Sequence, residues 1–377
     1  MRVYLDHAAT TPMPERVAEV YLAALRDTGN PASTHEHGRQ SRERLETARA
    51  TIAGALGCEP VEVVLTSGGT ESVNLALKGL FWARQRGAAR PVLLIAAGEH
   101  HATVDTVEWL AAAQGAELVW LPLDAEGRLR PEVLSAALAA AGPERVALIS
   151  FLWGNNEVGT VQAVTELAEI ARNAGVPAHA DAVAALGQLP IDFAATGLSA
   201  LSVSAHKVGG PVGVGALVLG RAAQIDGLVH GGNQQRGRSG TQDVAGAVAF
   251  AAALRDAPRP GGGPDARLAE LRDELISGVR LAVPDAVLRG PDPASGERLP
   301  GNAHFTFPGC QGDSLLFLLD HAGVSVSTGS ACQAGVAEVS HVLLAMGLDE
   351  ATAIGALRFT LGHDSSRADI EALCREL

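Results

Sequence analysis

From about residue 60 to residue 220, short β-branched and aliphatic runs alternate with stretches of helical periodicity. VEVVLTS is followed by TESVNLALKGLFWARQ, and PVLLIAA by ATVDTVEWLAAAQ. AELVWLPL, RVALISFLW, VPAHADA and LSALSVS continue the series. Strands separated by helices must cross over to re-enter a sheet, so the pattern dictates an α/β fold. Its sheet is mostly parallel, with helices on both faces. GVGALVLG adds a strand after a Gly-Pro turn, and VAGAVAFAAALRDA reads as a long buried helix. The Pro/Gly-rich APRPGGGPDA (257–266) is the clearest linker. Beyond it we expect an amphipathic helix over 268–280, strands near 303–307 and 324–327, and helices near 313–321, 340–346 and 367–376. These make a smaller α+β unit. The expected division is a large domain over 15–256 and a small domain formed by 1–14 with 257–377.

In open α/β sheets, ligands bind beyond the carboxyl ends of the strands. The unusual polar residues fall there: Ser67-Gly68-Gly69-Thr70, Glu99-His100-His101, Asn155-Asn156, Asp181 and His206-Lys207. Five clusters at five strand ends describe one site. Lys207 is the most telling of these. Only two of the 29 basic residues are lysines, Lys78 and Lys207; the rest are arginines. A guanidinium keeps its proton and cannot serve as a nucleophilic amine, whereas a desolvated lysine can. A Schiff-base lysine is therefore the one cation that arginine cannot replace; the alternative is a lysine whose stem packs while its head reaches solvent.

The other clusters each admit two readings. TSGGTES couples a strand to a helix start whose N–H groups, with the Thr70 hydroxyl, suit a phosphate; Thr70 as a plain N-cap is the alternative. Asp181 and His179 share one face of a strand. The carboxylate suits a pyridinium nitrogen, while His179 with Asp181, or with His100 and His101, suits a metal. In GEHHAT, adjacent side chains diverge, so one imidazole is expected to face the site, stacking on a ring and moving protons. Cys332, in STGSACQAG, lies among small residues where a reactive thiol fits better than a packed one. Cys58, Cys310 and Cys374 lack such a setting. Arg358, on the apolar run ALRFTLG, needs a partner: a substrate carboxylate or a structural acid. HGGNQQRGRSGT offers a second anion contact.

Charge and cysteine usage remove other classes. The net charge is −13 and no basic block occurs, which argues against direct nucleic-acid binding. No apolar run approaches a membrane span, and the start MRVYLDHAATTP lacks the apolar segment of a signal peptide. Four widely spaced cysteines without a CxxC pair fit a reducing cytoplasm and no structural metal.

Ten segments, in order and spacing, resemble the cysteine desulfurases, fold type I pyridoxal-phosphate enzymes of the class V aminotransferase group. They are YLDHAATTP, GNPASTHEHGR, TSGGTESVNLALKG, GEHHA, NNEVGTVQ, HADA, SAHKVGGPVGVGAL, RSGTQD, STGSACQAG and LRFTLG. The spacing after Cys332 is similar to the subgroup with the longer catalytic-cysteine loop. The resemblance implies a seven-stranded sheet in the large domain and pyridoxal 5'-phosphate as cofactor. It implies Lys207 as the Schiff-base residue, His100 stacked on the ring as acid/base, and Asp181 at the pyridine nitrogen. Gly69, Thr70, Ser204 and His206 would bind phosphate, with Thr241 reaching from a second subunit of a homodimer. Asn155 would meet the ring hydroxyl or substrate, Asn30 and Arg358 the substrate carboxylate, and Cys332 would accept sulfur as a persulfide. L-cysteine would become L-alanine, and an acceptor protein, either an iron–sulfur scaffold or a thiolation enzyme, would take the sulfur. A selenocysteine lyase, another class V enzyme, and a cofactor-binding paralogue of low turnover are the alternatives. Three features depart from the pattern. Ala184 stands where relatives carry glutamine, and Val339 where a proline is common. The chain ends at Leu377, short of the extension with which relatives dock a scaffold.

Overall fold

In the computed structural model, residues 2–329 and 339–377 are described. The chain opens with a two-residue strand, β1 (Val3–Tyr4), then helices α1 (Glu15–Leu25) and α2 (Glu36–Leu56). The alternating region follows as β2 (Val63–Thr66), α3 (Gly69–Arg84), β3 (Val92–Ala96), α4 (His101–Gln114), β4 (Glu117–Leu121), α5 (Pro131–Ala141) and β5 (Val146–Leu152). It continues through α6 (Val164–Asn173), β6 (Ala178–Asp181), the single turn α7 (Phe193–Thr196), β7 (Ala200–Ser204) and β8 (Gly215–Leu219).

These strands form one seven-stranded sheet in the order β2-β8-β7-β6-β5-β3-β4. β8 is antiparallel to both of its neighbours, β2 and β7, and the remaining pairs are parallel. Two antiparallel steps restore direction, so β2 points the same way as β7. The carboxyl ends of β2, β3, β5, β6 and β7 therefore share one edge. Every residue of β3 and β5 is buried, as expected of strands covered on both faces. One core lies under each face: Phe151, Phe250 and Leu167 on one side, Leu75, Phe81 and Leu110 on the other.

After α8 (Val244–Ala253) come α9 (Ala266–Ala282), β9 (Val287–Arg289), β10 (Asn302–Thr306), α10 (Gly312–His321) and β11 (Val324–Ser325). The chain closes with α11 (His341–Ala345), α12 (Glu350–Ala353), β12 (Ala356–Thr360) and α13 (Arg367–Glu376). β12, β10 and β9 make a three-stranded antiparallel sheet. α9 and α13 cover it, closing a separate core around Phe305, Phe359, Leu275 and Leu373. β1 pairs in parallel with β11, and Val3 and Leu5 enter this same core. The N-terminus thus crosses from one core to the other, carrying residues 6–11 past the edge where the large-sheet strands end.

Candidate active site

A cavity of about 580 Å³ opens at that edge, within the size range of small-molecule sites. Gly69, Thr70, His100, Asp181, Ser204, His206, Lys207 and Arg358 all face it, so eight of the residues singled out by sequence converge.

Lys207 follows β7 in a short turn and is held by the N-terminal crossing. Its Nζ donates to the carbonyls of Ala8 and, at 3.0 Å, Ala9. Burial, reinforced by the Arg358 cation, lowers its pKa to about 8, against opposing pulls from Asp181 and Asp6. Burial penalises the charged form, so this amine loses its proton far more readily than a surface lysine. Asp181 ends β6, and its Oδ1 accepts the Val183 N–H at 2.9 Å. Burial raises its pKa to about 6, partly offset by that bond and by Lys207; it remains mostly ionised at neutral pH.

His100 is the N-cap of α4, and its Nδ1 accepts the Ala102 N–H at 3.0 Å. Burial and the nearby Lys207 lower its pKa to about 4. A neutral ring accepting at Nδ1 carries its proton on Nε2. His101 also lines the cavity, contrary to the expected divergence. The pair sits where an extended segment turns into a helix, and there strand alternation no longer holds. The His101 ring meets His341 edge-on, with centroids 5.0 Å apart.

Ser204, His206, Gly69 and Thr70, the expected anion contacts, all line this cavity. The α3 N-cap is Gly68, with φ at +146° and no side-chain cap, so Thr70 is not the cap and its hydroxyl is left for the cavity. Glu71 reaches back to the Ser67 N–H instead, at 2.7 Å. Ser204 Oγ is buried without a hydrogen-bond partner. A buried hydroxyl is rarely left so, and together with the free N–H groups of a 16-residue helix it suits a phosphate. The residues present therefore fit pyridoxal phosphate.

Arg358, on β12, is 5% exposed. It pairs with Asp6 at 2.8 Å and donates to the Asn156 carbonyl at 3.0 Å, while its Nε has no partner. The structural acid expected as an alternative is thus present, yet the guanidinium still faces the cavity. Glu99, next to His100, is buried with both oxygens unpaired. Burial and Asp181 raise its pKa to about 8.

Three expected residues lie elsewhere, and one is not described. Asn155 is buried behind the wall: its Nδ2 donates to Gly98 O at 3.1 Å, and its Oδ1 accepts the Glu157 and Val158 N–H groups at 2.8 and 2.9 Å. Its neighbour Asn156 faces the cavity instead. The exposed Asn30 caps its own turn through Ala32 N at 2.9 Å, and Thr241 is exposed outside the cavity of its own chain. Cys332 lies outside the described residues. His179 sits below Asp181 on the same face, bonded at 2.9 Å to Ser150 and to Ser202. With both ring nitrogens taken, it is no metal ligand, and no metal-holding cluster occurs among the described residues. Sequence reasoning singles out neither Asp6 nor His341; the carboxylate in YLDHAATTP, opposite a lone apolar-strand arginine, was the available signal for the first.

A lysine just past the C-terminal edge of a mostly parallel seven-stranded sheet, facing an anion cradle, is the fold type I architecture of pyridoxal-phosphate enzymes. Residues 3–373 match the sequence model of the family described as Aminotransferase class-V, and the chain belongs to that family. It is 51% identical over 371 residues to an IscS-like cysteine desulfurase of Mycobacterium tuberculosis, covering 98% of this chain and 93% of that one. It is 40% identical over 370 residues to the cysteine desulfurase IscS of Dictyoglomus turgidum, covering 98% and 91%. Among solved structures, a NifS-like protein superposes with a TM-score of 0.88 at 31% identity, covering 100% of this chain and 98% of that one. SspA in complex with cysteine does so with 0.81 at 29% identity, covering 95% and 98%.

Proposed function

We propose that this cavity is where the chain, a pyridoxal-phosphate-dependent cysteine desulfurase, takes L-cysteine to L-alanine, and that the sulfur leaves as a persulfide on Cys332. The observation that carries the reading is the single convergence of a depressed-pKa lysine, a buried carboxylate and an unpaired phosphate-ready hydroxyl. Lys207 would hold the cofactor and move the substrate's Cα proton. Its pKa of about 8 lies near the working pH, where proton transfer in both directions is efficient. Asp181 keeps a proton on the pyridine nitrogen, since ionisation of this carboxylate in a buried site is best compensated by a cation. His100, neutral with its Nε2 proton, would face the cofactor from the cavity wall and hand protons on. Gly69, Thr70, Ser204 and His206 take the phosphate, and Arg358 the substrate carboxylate. When bound, pyridoxal phosphate supplies the electron sink that makes the Cα proton acidic.

The wider reading is a homodimer in which Thr241 completes the partner subunit's phosphate cradle. Residues 15–256 act as one domain, and 1–14 with 257–377 as the other. The sulfur passes to an acceptor protein in the cytoplasm; no described helix is long and apolar enough to cross a membrane. The test is release of alanine from L-cysteine under a thiol reductant, comparing wild type with Lys207→Arg. Wild type should release alanine and sulfide together. Lys207→Arg should show neither turnover nor a borohydride-reducible cofactor adduct, and an adduct retained in that variant contradicts the role given to Lys207.

A further inference from the structure

Glu157 is 4% exposed and is fixed more completely than a loop carboxylate need be. Its N–H donates to Asn155 Oδ1 at 2.8 Å, and its carbonyl accepts Asn302 Nδ2 at 2.9 Å. The carboxylate then serves a distant segment: Ser340 Oγ donates to Oε2 at 2.5 Å. The same hydroxyl caps α11 by accepting the Leu343 N–H at 3.1 Å. The next residue, His341, donates from Nε2 to the Glu99 carbonyl at 2.8 Å, beside His100.

The chain passes beside the same carboxylate at Gly329, whose N–H donates to Ser327 Oγ at 3.0 Å. The Gly329 φ is +89°, and a Cβ there would lie 3.2 Å from His304 Nε2 and 3.5 Å from Glu157 Oε2. The positive φ favours glycine at this point, and the space beside it is tight. His304 is fully buried with both ring nitrogens unpaired, and it faces the junction of Gly329 and Glu157. Just upstream, Ser327 is bridged to Arg358, whose N–H donates to the Ser327 carbonyl at 2.6 Å.

Residues 329 and 340 bracket, in sequence, the stretch that contains Cys332. We infer that Glu157 is a positioning residue for sulfur transfer, because its carboxylate holds Ser340 at one end of the Cys332-bearing stretch and lies beside Gly329 at the other. The start is registered to Arg358 and the end to the His100 turn. Orientation of a nucleophile toward its target governs transfer rates, and these contacts fix the described residues on either side of that stretch. The inference rests on Cys332 being the sulfur acceptor.

The test measures single-turnover persulfide formation on Cys332 by mass spectrometry in wild type, Glu157→Ala, Glu157→Gln and Ser340→Ala. The cofactor absorbance change on titrating L-cysteine is read alongside it. Persulfide formation should slow by about 100-fold in Glu157→Ala and by a smaller factor in Ser340→Ala. The L-cysteine concentration giving half the absorbance change should stay as in wild type. Glu157→Gln, which still accepts from Ser340, should keep most of the rate. Ser340→Ala removes one hydroxyl and keeps the test sharp if Glu157→Ala does not fold. Wild-type persulfide rates in both Ala variants overturn the inference, as does equal loss of cysteine binding and persulfide formation. Cys332→Ser separates the two levels. If it still releases alanine at the wild-type rate, the acceptor reading itself fails. If it is inactive while Ser340→Ala transfers sulfur normally, only the seating on Glu157 fails.

Discussion

An amine that must lose its proton near neutral pH needs surroundings that penalise its charged form. Lys207 has them, in burial and in the Arg358 cation. Only the neutral amine can attack an aldehyde, so capture of pyridoxal phosphate by the apoprotein should quicken as pH rises and level off above about pH 8. Arg358→Gln removes a charge that lowers the Lys207 pKa, so the midpoint should move to higher pH. Stopped-flow absorbance checks both, and a rate that is flat across this pH range contradicts them. At this scale Lys207, Asp181 and Arg358 were legible because each is a costly residue type at a strand end or on an apolar strand. Asn155 was not. Which of two adjacent asparagines faces the cavity depends on an oxygen that caps two N–H groups of the following turn, and no periodicity encodes that. Thr70 likewise turns on which residue caps α3, a matter settled by the backbone of Gly68.

The elements of the large sheet were legible from their buried apolar runs and the helices between them. β9 was not. It is a three-residue edge strand whose residues are all at least partly exposed, so its identity comes from β10 rather than from its own pattern. His179 shows what the strand reading missed. Its ring ties β6 to β5 through Ser150 and to β7 through Ser202, below the site rather than in it. His179→Ala should lower stability by roughly 2–4 kcal/mol in urea unfolding, because two buried hydroxyls lose their partner. Burial holds the His179 pKa near 3, well below the usual 6.5. The unfolded chain then binds the extra proton, so its stabilising contribution is present above pH 6.5 and lost as pH falls toward 3. His179→Ala should therefore lose less stability than wild type between neutral and acidic pH. An equal acid sensitivity in the two proteins contradicts this.

The cavity lies between two separately packed cores, and that relation was the least legible part. By sequence, residues 1–14 are expected to go with the small unit. The strand β1 does pair with β11, and Asp6 and Ala8 then reach Arg358 and Lys207. Such contacts, hundreds of residues apart, have no local signature. Thr241 raises the scale again, because it is exposed outside its own cavity. A cradle completed by a neighbour requires a dimer, so light scattering should give twice the chain mass; a monomer that holds cofactor tightly contradicts that arrangement. The central claim is that sulfur leaves through a protein thiol. In the proposed reading, proton movement falls to Lys207, Asp181 and His100, but removal of sulfur needs a nucleophile that becomes a persulfide. The most direct measurement is alanine release and persulfide mass in Cys332→Ser given L-cysteine and a reductant. The account predicts an unchanged cofactor spectrum and cysteine-induced absorbance change, with no alanine and no persulfide. Alanine released at the wild-type rate would contradict it.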